Sequence, residues 1–180
     1  MMNTQHPHVD AIAPRVPSPL ALAAVALAAA AMAGCATVDR PPPIDARPPP
    51  PVVVRPPEPL ECVPFARRES GIEIYGDAGR WWDLAGQRYR RTDRPAIGGV
   101  LVLRGYAGAS RGHVAVVRRV AAPREIVVDH ANWLNSGEIS LNVPVRDVSQ
   151  AGDWSAVQIW HVPGGHWGAR TYSVQGFISR

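Results

Sequence analysis

Lysine is absent from this 180-residue chain: all 19 basic positions are arginine, set against 15 carboxylates for a formal net charge of +4. Cysteine occurs only twice, at Cys35 and Cys62, too rarely for a disulfide-stapled miniature fold. No fixed glycine period and no sustained heptad is present, which excludes collagen and coiled-coil architectures. The longest apolar run, Leu20 to Ala33, falls short of the roughly 20 residues that span a bilayer. The arginines are scattered and accompany no nucleic-acid-binding motif, so no nucleic-acid partner is expected; the positive balance favours a polyanionic environment. The chain does hold six tryptophans, which need a core to receive them and argue against global disorder.

The apolar run behaves as the core of an export signal, preceded by a polar leader with Arg15 as its one cation. It ends in Met32-Ala33-Gly34-Cys35, which resembles a bacterial lipobox. That resemblance implies a signal peptide over residues 1–34, lipidation of Cys35 and a membrane anchored through that lipid. Ala36 after the cysteine resembles lipoproteins sorted to the outer membrane, facing the periplasm. Lipidation would leave Cys62 as the one free thiol. Ten of the 19 prolines then fall between Pro41 and Pro59. Proline lacks an amide proton and holds φ near −65°, so residues 35–59 are expected as an unpaired polyproline II tether, a spacer of the order of 70 Å.

From residue 60 to 180 the pattern is that of one compact α+β domain, expected as a monomer. Glu61 to Gly71 reads as a short helix, with Pro64 tolerated in its first turn and Gly71 as its stop; Cys62 then sits at the helix start. A second short helix is expected around Asp77–Ala85. Val100–Leu103, His113–Val120, Glu125–Asp129, Glu138–Val143 and Ala156–Val162 read as strands of a roughly five-stranded antiparallel sheet. The Gly-rich tail, Pro163 to Arg180, is expected to wrap the surface.

A lone cysteine at a helix start is a place where a thiol ionises readily, because free amides and the helix dipole favour the thiolate. A histidine within reach can act as base and then as acid. His113 opens the strand Gly112-His113-Val114-Ala115-Val116-Val117, and Gly112 is expected to leave room for an extended substrate. On the next strand, Asp129-His130-Ala131-Asn132-Trp133, side chains alternate: His130 and Asn132 share one face and Asp129 takes the other. Either His130 or Asn132 suits the task of orienting the His113 ring. A metal site built from Cys62, His113, His130 and Asp129 is not expected, since zinc ligands come in close pairs that are missing here; His161 and His166, flanking Pro163-Gly164-Gly165, read as loop residues.

The order Cys62, then Gly-His-Val-Ala-Val-Val, then Val-Asp-His-Ala-Asn-Trp resembles the CHAP family of cysteine, histidine-dependent amidohydrolases and peptidases, from about Glu61 to Trp160. The resemblance implies a papain-like or NlpC-like fold, short N-terminal helices on the sheet, Cys62 as nucleophile, His113 as general base and a polar third residue. Where the family typically has Glu-x-Asn before an aromatic, this chain has His130-Ala131-Asn132. On that register His130 is the third member, as in NlpC-like Cys-His-His sites, with Asn132 as an alternative and Asp129 as another if the strand carries a bulge. Ile97-Gly98-Gly99-Val100 departs from the Gly-Asp usual before the strand. The implied activity is hydrolysis of an amide bond in peptidoglycan, as amidase or endopeptidase, without metal or cofactor. The alternative is a non-catalytic envelope or peptidoglycan binder that keeps the fold.

Overall fold

The computed structural model describes residues 49–106, 108 and 111–180. The expected signal peptide, the lipid-bearing Cys35 and the tether as far as residue 48 lie outside the described residues. The chain order is β1 (Val52–Val54), α1 (Cys62–Ser70), a single 3-10 turn (Ala78–Arg80), α2 (Trp81–Ala85), β2 (Arg90–Thr92), β3 (Val100–Arg104), β4 (His113–Ala122), β5 (Glu125–Ala131), β6 (Ile139–Asp147), β7 (Ala156–His161), β8 (His166–Trp167) and β9 (Tyr172–Ser179).

The two helices form where the sequence favours them. Pro64 sits in the first turn of α1, where no amide partner is required, and Gly71 closes the helix at φ 68° with its N–H on the Arg67 carbonyl at 2.9 Å. The strands form where β-branched residues concentrate. They do not make an open five-stranded sheet. Strands β6, β5, β4, β3, β9 and β7 pair in that order, and β7 pairs back to β6 through Val145–Ile159, Arg146–Gln158 and Asp147–Val157, closing a six-stranded barrel. The molecule is strand-rich, with few helical residues, so the expected α+β fold of short helices on a roughly five-stranded sheet is corrected to a closed barrel with little helix.

The expected surface tail supplies the closing strand. In β9, Ser173 to Ile178 pairs with β3 while Tyr172 and Ser173 pair with β7. Phe177 and Ile178 are buried on opposite sides of this strand, so leaving it on the surface would expose both apolar faces. The segment read as an unpaired tether also contributes: Val52–Val54 pairs with Ile139–Leu141 as an edge strand. Proline is tolerated beside a short edge strand, and Val52, Val53 and Val54 keep the amides that their neighbours lack.

Alternation along the barrel strands separates two cores. Leu101, Leu103, Ala115, Val117, Ile126, Val128, Val143, Val145, Val157, Ile159 and Phe177 fill the interior, closed by Trp154 edge-on to Phe177 at 5.8 Å. Val100, Val102, Val114, Val116, Ala131 and Ile178 point outward and are covered by Phe65, Ala66, Ile72, Ala78, Trp81 and Ala85 from the helical segment. The helices therefore pack on one outer face of the barrel. Extra residues adjust the ladders at several points, two of them near the site. One is Arg118 on β4, where the register with β5 shifts between Val117 and Arg119. Another lies on β6 around Asn142, at φ 57°, where the strand leaves β1 and bends toward β7.

Gly112 has a packing role besides the substrate clearance expected of it. A Cβ at this position would lie 2.5 Å from the Gly79 backbone and 2.8 Å from the Leu103 carbonyl oxygen, so the 3-10 turn rests directly on the start of β4. Gly112→Ala should therefore destabilise the fold by about 1–3 kcal/mol, the usual range for overpacking, measured as a lower midpoint in thermal or urea unfolding. An unchanged midpoint would contradict this contact.

Candidate active site

The fold brings the start of α1, the start of β4 and the end of β5 to one end of the barrel. Cys62 is the first residue of α1, half-buried, with Glu61 before it in extended conformation and no side-chain cap. The first amides of a helix have no helical acceptor. Those of Cys62 and Val63, with the Val114 N–H from β4, lie close enough to the sulfur to draw its pKa down; burial is the larger effect and the Glu61 carboxylate adds to it, so the thiol stands above its ordinary value. That nearness places Cys62 against the residue that follows His113. The dipole-stabilised thiolate expected from the helix start does not describe the resting site, whose thiol is neutral.

His113 and His130 both face inward at the barrel mouth and are 2% and 0% exposed. Nε2 of His113 meets Nδ1 of His130 at 2.9 Å, rings edge to face. Trp133 covers both rings, at 4.9 and 5.1 Å between centroids. Tyr106 stacks at 5.0 Å from His113, and its hydroxyl donates to the Trp133 carbonyl. Burial drives the His113 pKa well below its ordinary value, helped by repulsion from His130. Burial likewise lowers His130 to about 4, opposed by attraction to Glu138. Tyr106 is pushed up to about 12, mainly by burial. The site at neutral pH therefore holds an uncharged thiol and two uncharged imidazoles.

The two alternative partners of His113 are engaged elsewhere. Asp129 points to the outer face, where Oδ2 accepts from Arg118 Nε at 2.6 Å and Oδ1 from the Asn142 amide at 2.7 Å. The extra residues lie on β4 and β6, so no bulge on β5 turns Asp129 inward. Asn132 lies beyond the end of β5 at φ 59°, which ends the alternation that placed it beside His130. Its Nδ2 donates to the Glu61 carboxylate at 2.8 Å, and its Oδ1 accepts from the Gly137 amide at 2.9 Å. Asn132 thus ties the residue before Cys62 to the turn after β5. Arg118 carries a second bond, to Glu69 in the last turn of α1 at 2.6 Å, so Asp129 and Arg118 fasten that helix to the barrel wall.

A cleft of about 560 Å³ opens beside the thiol, lined by Glu61, Cys62, Asp77, Gly79, Arg111 and Gly112 among others. Tyr106 and Glu138 belong to the site's surroundings without having stood out in the sequence as site residues; their contacts depend on loops between strands. His161 and His166 face each other across the β7–β8 hairpin. Among the described residues no group of three or more His, Cys, Asp or Glu side chains is arranged to hold a metal ion.

Stability should depend on these imidazoles. Their folded pKa values lie below the ordinary value of 6.5, so on acidification the unfolded chain takes up protons that the folded chain refuses, and stability falls with pH. The window opens near pH 6.5 and runs down toward about 4 for His130; the lowered carboxylates Glu69 and Glu138, whose ordinary value is 4.5, act only in its lower part. Thermal midpoints should drop between pH 6.5 and 4.5, and His130→Gln should flatten that slope. Parallel slopes in both proteins would contradict a buried neutral His130.

No curated protein matches the chain. A family model does match, and it takes in Cys62, His113, His130 and Asn132 while ending before β6, short of the Trp160 limit expected from the sequence. Over residues 56–132 the chain matches the family model of the CHAP domain.

Proposed function

We propose that this protein hydrolyses amide bonds of peptidoglycan, as amidase or endopeptidase, through a thioester on Cys62. The CHAP domain supports a cysteine, histidine-dependent amidohydrolase or peptidase acting on cell-wall peptidoglycan. The observation that carries the finer reading is the 2.9 Å contact between His113 Nε2 and His130 Nδ1, one residue along β4 from Val114, whose amide lies near the Cys62 sulfur.

In the proposed mechanism His130 occupies Nε2 of His113, which leaves Nδ1 to exchange a proton with Cys62. Because thiol and imidazole rest uncharged, ionisation accompanies attack. Sulfur bonds the scissile carbonyl carbon while its proton passes to His113. The developing oxyanion sits at the start of α1, where the Cys62 and Val63 amides point toward the sulfur and the helix end favours negative charge. Collapse breaks the C–N bond, the amine leaves with the proton from His113, and water then cleaves the thioester with His113 again as base. His130 keeps the His113 tautomer and shares the positive charge. The cleft beside Cys62 admits the peptide.

On this reading Cys62→Ser should lower cell-wall clearing in a zymogram by about a thousandfold or more, and His113→Ala by about a hundredfold or more, with far-UV spectra unchanged. Equal clearing by wild type and Cys62→Ser would overturn the mechanism. Retention on insoluble cell wall without released muropeptides would favour the binding alternative.

The lipobox-like Met32-Ala33-Gly34-Cys35 supports the further proposal that residues 1–34 are removed, Cys35 is lipidated and the domain is held at the outer membrane, facing the periplasm. Cells fed a clickable palmitate should label wild type and not Cys35→Ala. Absence of label in wild type would rule this anchor out.

A further inference from the structure

The mechanism above leaves without a role a buried polar atom of the imidazole pair and a buried carboxylate near it. Nε2 of His130 is fully buried and has no hydrogen-bond partner. Glu138, 1% exposed, precedes β6. Its carboxylate accepts from the Leu134 amide at 2.7 Å, the Ser136 amide at 3.2 Å and the Ser136 hydroxyl at 2.9 Å. Those donors hold it ionised despite burial, with its pKa below the usual carboxylate value.

Register brings the two together. His130 lies opposite Ser140 and Ala131 opposite Ile139, and the Asn132 amide donating to the Glu138 carbonyl at 2.7 Å adds one further rung. Glu138 is therefore the diagonal neighbour of His130 on the same face, within reach of a long side chain.

Cys62 from α1, Tyr106 from the loop after β3 and Tyr172 from β9 all have raised pKa values and hold no charge at neutral pH. Asp129 points to the outer face and is paired with Arg118, Glu61 before α1 accepts from Asn132, and Arg170 lies over the Tyr172 ring with its guanidinium on the Gly105 carbonyl. Glu138 is the one charge that acts on His130, and it favours the protonated ring.

We propose that Glu138 is a positioning residue for the imidazole pair, a fixed buried anion that orients the outer N–H of His130 and stabilises the positive charge arriving at His113 when Cys62 gives up its proton. This rests on the hydrolase reading given above. For His113 to accept a proton at Nδ1, its Nε2 must carry hydrogen and donate to His130 Nδ1, which puts the His130 hydrogen on Nε2. That N–H has no acceptor, and a buried donor of this kind is costly; attraction to a nearby carboxylate offsets part of that cost and biases the tautomer. The carboxylate acts through space, since its bonds are taken by Leu134 and Ser136.

The test compares wild type, Glu138→Gln, Glu138→Asp and Ser136→Ala. Ser136→Ala removes one bond of the same turn without removing charge. Glu138→Gln should move the acid limb of kcat/KM for muropeptide hydrolysis to lower pH by about half a unit and cut kcat by about tenfold, with KM little changed, the pattern of an interaction felt in the transition state. Glu138→Asp should restore most of the rate, and Ser136→Ala should leave the limb in place. In parallel, proton NMR titration of the His113 and His130 rings, assigned with His→Gln variants, should show their pKa values falling in Glu138→Gln. The titration needs no activity: a wild type that cleaves nothing would sink the hydrolase reading, while the titration would still test the Glu138–His130 coupling. Ring titrations and an acid limb unmoved in Glu138→Gln, or an equal loss of rate in Ser136→Ala, would assign Glu138 to the turn alone and overturn the proposal.

Discussion

Alternation along the four residues Val128 to Ala131 is the constraint on which the site depends. Val128 and His130 point into the barrel, Asp129 and Ala131 to the outer face. Inward, His130 meets His113. Outward, Asp129 holds Arg118, which holds Glu69 at the far end of the helix that begins with Cys62. A shift of one residue in this ladder would reverse every side chain, removing the imidazole contact and the helix clamp together. The extra residue at Arg118 on β4 gives the ladder the local freedom to aim that guanidinium at both carboxylates.

Burial at the barrel mouth sets the chemistry. Trp133 and Tyr106 enclose the imidazoles, and low dielectric holds thiol and rings uncharged. An ion pair formed in such a place is strongly felt, because the same desolvation that prevents it at rest amplifies any fixed dipole or charge aimed at it.

The proline-rich segment and the tail have structural duties beyond connection. Val52–Val54 protects the edge of β6, and the Leu60 amide donates to the Gly137 carbonyl at 2.9 Å. That bond ties the approach to α1 to the turn that contains Ser136 and leads into Glu138. The tail strand β9 bridges β3 and β7, so barrel closure depends on residues far beyond the family match.

Much of this was legible in the residues alone. Dense β-branched runs mark the five strands from Val100 to His161, because their side chains suit a half-buried pleated surface. Pro64 and Gly71 bracket α1, because each restricts or frees the backbone at one helix end. Cys62, His113 and His130 stand out by type, order and local context. Strand β9 was not legible, since Gly176 and the polar Ser173, Gln175 and Ser179 dilute its pattern, and β1 was hidden among prolines. The contact of His113 with His130 and not with Asn132 or Asp129, the rise in the thiol pKa and the nearness of Glu138 belong to tertiary structure. Each depends on which strand lies beside which, at what register and how far from water, and a linear pattern of side chains carries none of those three.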